Sequence, residues 1–128
     1  MATPADFRYS PAHAWVRVEG AEATVGITDY AQAQLGDLLY LDLPDAGEAL
    51  ARGEPFGVVQ SFKTTADLIA PVDGEVVAAN AEALRGPKAV NGAPYGRGWL
   101  VRVRLADPAQ AASLLDGPAY DAVVAAAG

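Results

Sequence analysis

Gly57-Val58-Val59-Gln60-Ser61-Phe62-Lys63-Thr64-Thr65-Ala66-Asp67-Leu68-Ile69-Ala70-Pro71-Val72-Asp73-Gly74-Glu75-Val76 is the stretch that decides the fold. Two β-prone runs flank a single lysine: valines and Phe62 before it, Thr64, Thr65, Leu68 and Ile69 after it. That arrangement puts Lys63 at the tip of a hairpin. The chain has two lysines against seven arginines, so arginine would be its habitual cation if an exposed tip required only solubility. An amine, unlike a guanidinium, can be acylated, and a tight turn delivers it to a modifying enzyme. Lys88, the other lysine, follows Gly86-Pro87 in a loop without β-prone flanks and reads as a surface charge.

Outward from the hairpin, Asp73-Gly74 turns the chain into a strand at Glu75-Val76-Val77-Ala78. Upstream, Leu38 to Leu43 is apolar enough for a strand with both faces buried, stopped by Pro44-Asp45-Ala46-Gly47. Residues 29–35 form about two turns of helix, with Thr28 or Asp29 accepting from its free N–H groups and Gly36 in the left-handed position at its end. Glu19-Gly20-Ala21-Glu22 joins two strands into an earlier hairpin. Downstream, Asn80 to Gly98 is rich in Gly, Pro and Asn and reads as a structured loop. From Trp99, Val101, Val103 and Leu105 alternate with Leu100, Arg102 and Arg104, which is a strand with an apolar and a more basic face. Asp107-Pro108-Ala109-Gln110 caps a helix to about Leu115, with Gln110 placed for a capping box. Gly117-Pro118 breaks it before a last short helix from Tyr120 to Ala127.

Short strands between turn residues, with no long helix among them, predict an antiparallel sandwich or barrel. Apolar strands around Leu39, Leu41, Val58, Ile69, Val76 and Val101 are expected to form one core. A chain of 128 residues suits one domain over 1–128, with flexible ends at 1–5 and 126–128. The absence of cysteine excludes thiol nucleophiles and cysteine-ligated metals. A net charge of −7 argues against binding a phosphate backbone and for a monomeric carrier or a partner with a basic face. The N-terminus has no basic and apolar leader and no apolar run reaches the ~20 residues of a bilayer span, so the chain reads as cytoplasmic. His13, the one histidine, lacks a positioned nucleophile and an orienting acid, and is expected to pack near Trp15.

Gly47-x-x-Leu50-x-x-Gly53, then Gly57 to Lys63, then Ala70-Pro71-x-x-Gly74-x-Val76 resemble the carrier domains in which a lipoyl or biotinyl group hangs on a hairpin lysine. Further segments narrow the likeness: His13-Ala14-Trp15-Val16, Val25 to Ala31, Leu35-Gly36-Asp37, Leu43-Pro44-x-x-Gly47, and Val90-Asn91-x-x-Pro94-Tyr95-Gly96-x-Gly98-Trp99-Leu100. With these, Tyr9 to about Tyr120 resembles the glycine cleavage H-protein family. The resemblance implies a mainly β barrel-sandwich hybrid of the lipoyl type with short peripheral helices, and lipoate linked covalently to Lys63.

It further implies a non-catalytic carrier that takes an aminomethyl group from a pyridoxal-phosphate glycine decarboxylase and passes it to a tetrahydrofolate-dependent aminomethyltransferase. Dihydrolipoamide dehydrogenase then reoxidises the arm, and a lipoate ligase or a lipoyl or octanoyl transferase installs it. Neither nucleic acid nor membrane is among the implied partners. His13, Ala14, Gln60, Ser61 and Asp67 are the candidate contacts of the arm or its cargo. Where the family usually has glutamate, this chain has Ala14, Gln60 and Arg97. Two alternatives stay open on the residues alone: an H-protein-like lipoate carrier of another pathway, such as sulfur oxidation or lipoyl relay, and an unmodified structural homologue. Phe62 and Thr64 beside the lysine, in place of methionines, disfavour a biotinyl carrier.

Overall fold

The structure is a computed structural model and describes residues 7–127. Of the expected flexible ends, 1–5 and Gly128 lie outside the described residues. In chain order the elements are β1 (Arg8–Tyr9), β2 (Ala14–Glu19), β3 (Glu22–Ile27), α1 (Asp29–Leu35), β4 (Leu38–Asp42), β5 (Ala49–Leu50) and β6 (Pro55–Ser61). They continue as β7 (Thr65–Ile69), β8 (Gly74–Ala79), α2 (Ala81–Arg85), α3 (Lys88–Gly92), β9 (Val101–Leu105), α4 (Pro108–Ala112) and α5 (Gly117–Ala127). A six-stranded sheet runs β1-β2-β3-β9-β8-β5 and a three-stranded sheet runs β4-β6-β7. Every pairing between these strands is antiparallel. The chain is therefore mainly β, with two sheets that do not close into one barrel and short helices around them. No helix among the described residues is long and apolar enough to cross a membrane.

Local chemistry explains most elements. The side chain of Thr28 accepts from Ala31 N–H and Gly36, at φ 80°, ends α1, which is the capping expected from the sequence. β9 buries Val101, Val103 and Leu105 and exposes Arg102 and Arg104, the period of a strand with one wet face. The alternation starts at Val101, because Leu100 is fully buried.

Four expectations are corrected. First, β4 buries Leu38 and Leu41 but leaves Leu39 and Tyr40 exposed; its register shifts between Leu38 and Tyr40, and its outer face meets solvent. Second, the described residues form three apolar clusters. Val76 and Val101 belong to one, Leu41 to a second, Phe56 packs against both, and Val58 and Ile69 are only half-buried. The third gathers Phe7, Tyr9, Trp15 and Tyr120 at one end. Third, the Asn80 to Gly98 segment holds α2 and α3, so Lys88 opens a helix; Asn80 caps α2 by accepting from Glu82 N–H. The turn residues there serve caps between helices too short to show a period. Fourth, α4 ends at Ala112 and α5 begins at Gly117. Gln110 does not close a capping box: its amide accepts from Asp73 N–H at 2.8 Å and donates to the Asp73 carboxylate at 2.8 Å.

Candidate functional site

The tip between β6 and β7 is Phe62-Lys63-Thr64, closing after the pair Gln60↔Thr65. No glycine relaxes this turn, so its amides need partners. Ser61 N–H donates to Thr64 O at 2.8 Å, and Lys63 and Thr64 N–H both donate to Ser61 Oγ at 3.2 Å. Phe62 N–H donates to the carbonyl of Asp37 at 3.3 Å. The backbone of the tip is thereby fixed while the side chains of Phe62, Lys63 and Thr64 stay exposed.

The loop after α1 forms a shelf under the lysine. A Cβ built on Gly36 would stand 3.1 Å from Lys63 Cε and 3.8 Å from Nζ, so the aliphatic stem lies over the bare Cα. Asn91 of α3 holds this shelf. Its Oδ1 accepts from Leu38 N–H, and its amide donates to Gly36 O and to Gln32 Oε1, each at 2.9 Å. Asn91 had no role in the sequence reading, although it sits in one of the family-like segments; only its three polar partners reveal what it does.

Beside the shelf lies a cavity of about 280 Å³, walled by Gln34 and Leu35 of α1, Leu68 of the edge strand β7, Ile27 and Phe56. His13, Ala14 and Asp67 line it, so three of the expected contacts come together. Ser61 and Gln60 are not in its wall: Ser61 builds the turn, and Gln60 is exposed on the outer face of β6. The lining is mostly apolar, and Asp67 is its one carboxylate.

His13 packs on Tyr30 and Tyr120, the latter a member of the same aromatic cluster as Trp15. It adopts φ 71°, its ring lies 4.9 Å from Tyr30, and Nδ1 is 2.8 Å from Tyr120 Oη. Trp15 is fully buried, with Nε1–H donating to Pro94 O at 2.9 Å. Tyr120 Oη is also 2.6 Å from Thr28 Oγ1, and that oxygen already accepts from Ala31 N–H. The arrangement that leaves no hydrogen idle has Thr28 donating to Tyr120 and Tyr120 donating to His13 Nδ1, so the neutral ring carries its proton on Nε2. Burial lowers the His13 pKa, in keeping with a neutral ring, and burial pushes Tyr120 up to about 12.

Comparison with known proteins identifies the framework that carries this hairpin. The family model described as glycine cleavage H-protein matches residues 7–127. The glycine cleavage system H protein of Opitutus terrae is 52% identical over 118 residues, covering 91% of this chain and 93% of that protein. The mitochondrial H protein 2 of Arabidopsis thaliana is 44% identical, over 90% of this chain and 74% of that protein. The crystal structure of the H protein from Mycobacterium marinum superposes with a TM-score of 0.88 at 36% identity, covering 96% of this chain and 99% of the other. A match that runs through both sheets, the lysine hairpin and the terminal helices makes this chain a member of the glycine cleavage H-protein family.

Proposed function

We propose that the chain is the lipoyl-carrying subunit of a glycine cleavage system, and that Lys63 is the attachment residue. The observation that carries the reading is the placement of an exposed primary amine on a backbone-fixed tip, its stem resting on Gly36 beside an apolar cavity. The residues present fit the group: Gly36 gives the stem a groove that any Cβ would fill, and the cavity offers apolar walls of a size suited to a short alkyl chain and ring.

When attached, lipoate supplies a dithiolane that accepts an aminomethyl group as it is reduced. The chain's own residues act by placement. The rigid tip holds the root of the arm in solvent, so that one tether serves the decarboxylase, the aminomethyltransferase and the dehydrogenase at high effective concentration. Asp67, on the edge strand, is the acidic residue at the cavity, and His13 Nε2–H is a neutral donor there. Ala14 brings only a methyl group to the position where relatives usually have glutamate. The partners follow from this reading: the three enzymes of the cycle, and the ligase or transferase that acylates the lysine. The relatives compared above all carry the glycine cleavage name, which supports this pathway over another.

The test is acylation. With lipoate ligase, lipoate and ATP, the wild type and Lys88→Arg should each gain the mass of one lipoyl group, while Lys63→Arg stays folded and gains none. Modification mapped to Lys88, or absent from the wild type, would refute the carrier reading.

A further inference from the structure

Among the described residues five large apolar side chains are strongly exposed: Val18, Leu39, Tyr40, Phe62 and Leu84. Three of them flank the acceptor lysine, Phe62 at 70%, Tyr40 at 55% and Leu39 at 45% exposed. The register shows why they share a surface. Across the three-stranded sheet, Tyr40 faces Gln60 and Gln60 faces Thr65, while one row further along Asp42 faces Val58 and Val58 faces Asp67. Directly paired residues lie on the same side of a sheet, and so do residues two apart on one strand. Tyr40 and Gln60 thus belong to one outer face; Phe62 opens the tip directly beyond the end of β6, and Leu39 is exposed at the irregularity between Leu38 and Tyr40.

None of this exposure is explained by folding. Phe62 uses only its backbone, in the bond to Asp37, and a polar residue would close the same turn without leaving a phenyl ring in water. The electrostatics of the face are one-sided. The strands β4, β6 and β7 and the tip between the last two hold two acidic residues, Asp42 and Asp67, and one basic residue, Lys63. Asp37, Asp42 and Asp67 border the apolar side chains, and among the described residues Lys63 is the one cation beside them.

We infer that Phe62, Tyr40 and Leu39 form the docking surface for the enzyme that acylates Lys63, and that this enzyme offers an apolar recess for Phe62 and basic side chains around it. The inference rests on the attachment reading above. A protein that brings an acyl-adenylate within bonding distance of Nζ must cover the residue next to it, and the side chain it meets there is Phe62. In the transfer the amine form of Lys63 attacks the acyl carbonyl carbon. The C–N bond forms, the C–O bond to phosphate breaks, AMP leaves with the electron pair, and the amine's surplus proton passes to solvent. Lys63 supplies the nucleophile; the apolar patch supplies the grip, as buried aromatic anchors do in most interfaces.

The experiment measures initial acylation rates against carrier concentration, with lipoate ligase, lipoate and ATP, for the wild type, Phe62→Ser, Tyr40→Ser and Phe62→Leu. Thermal melts verify that each variant is folded; these side chains are exposed, so the melts should match. Phe62→Ser should raise KM for the carrier by about tenfold with kcat within about twofold, Tyr40→Ser should raise it less, and Phe62→Leu should restore most of the loss. Raising NaCl from about 50 to about 300 mM should raise the wild-type KM, because the surrounding charges are screened. A wild type that is acylated while both serine variants keep its KM, or lose only kcat, overturns the docking surface alone. A wild type that is never acylated overturns the attachment reading and this inference together.

Discussion

The hairpins β2–β3 and β6–β7 are built from strands of similar length, yet they turn the chain by different means. The first pairs without interruption from Ala14↔Ile27 to Glu19↔Glu22, and Gly20 makes the bend at φ 66° with open space around it. Everything it needs is local. The second has an irregularity between Pro55 and Gly57 and no glycine at its tip. It borrows a side-chain oxygen from Ser61 and a carbonyl from Asp37, on a loop that Asn91 holds from the far side of the sequence. A turn that only reverses direction can be left to one permissive residue, whereas a turn that must present a lysine in a set place is fixed by tertiary contacts.

The largest effect should appear where the first hairpin meets the core. A Cβ on Gly26 would lie 2.5 Å from Trp15 Cε2, and Trp15 is fully buried and tied to Pro94, so it has little room to retreat. Gly26→Ala should cost about 3 kcal/mol or more in urea unfolding, and Gly20→Ala only about 1 kcal/mol for its left-handed backbone. Equal costs would show that the bend at Gly20 is held by more than its own left-handed backbone.

Next in size is Asn91→Ala, which removes the acceptor for Leu38 N–H and the donor to Gly36 O. It should cost about 1–3 kcal/mol. The sharper measurement is hydrogen exchange, which should quicken at Phe62 and Leu38 while the β2–β3 hairpin stays protected. Unchanged exchange at Phe62 would show that the lysine hairpin holds itself, as the first one does.

The smallest effect concerns pH. Burial holds the folded-state pKa of His13 below its ordinary 6.5, so between that lowered value and 6.5 the unfolded chain binds more protons. Stability should therefore fall as pH drops through 6.5 and level off below the folded value. Protonating Nδ1 also takes away the acceptor for Tyr120. His13→Asn, which tolerates the positive φ, should flatten the change in Tm between pH 7 and 5. Asp73 acts in a lower window. Its pKa lies below 3.8, chiefly through the hydrogen bond from Arg52 N–H, so its contribution is present above 3.8 and is lost as pH falls through the lowered value. A slope that persists unchanged in His13→Asn would place the titrating group elsewhere.

The sequence by itself determined what depends on neighbours in the chain. Thr28 and Gly36 bounded α1, the alternation of β9 showed its wet face, and the β-prone runs around Lys63 located the hairpin. Capping, side-chain period and turn formation act within a few residues, so their signals are written locally. Tertiary structure decided the rest. It exposed Leu39 and Tyr40 by leaving one face of β4 uncovered, drew Gln110 to Asp73 across 37 positions, and joined His13 to Tyr120 across 107. It also brought Ala14 and Asp67 to one cavity, and set Asn91 beneath the lysine shelf. Each of these outcomes depends on which distant group fills the space or meets the hydrogen bond, and residue type and spacing along a single chain do not encode that pairing.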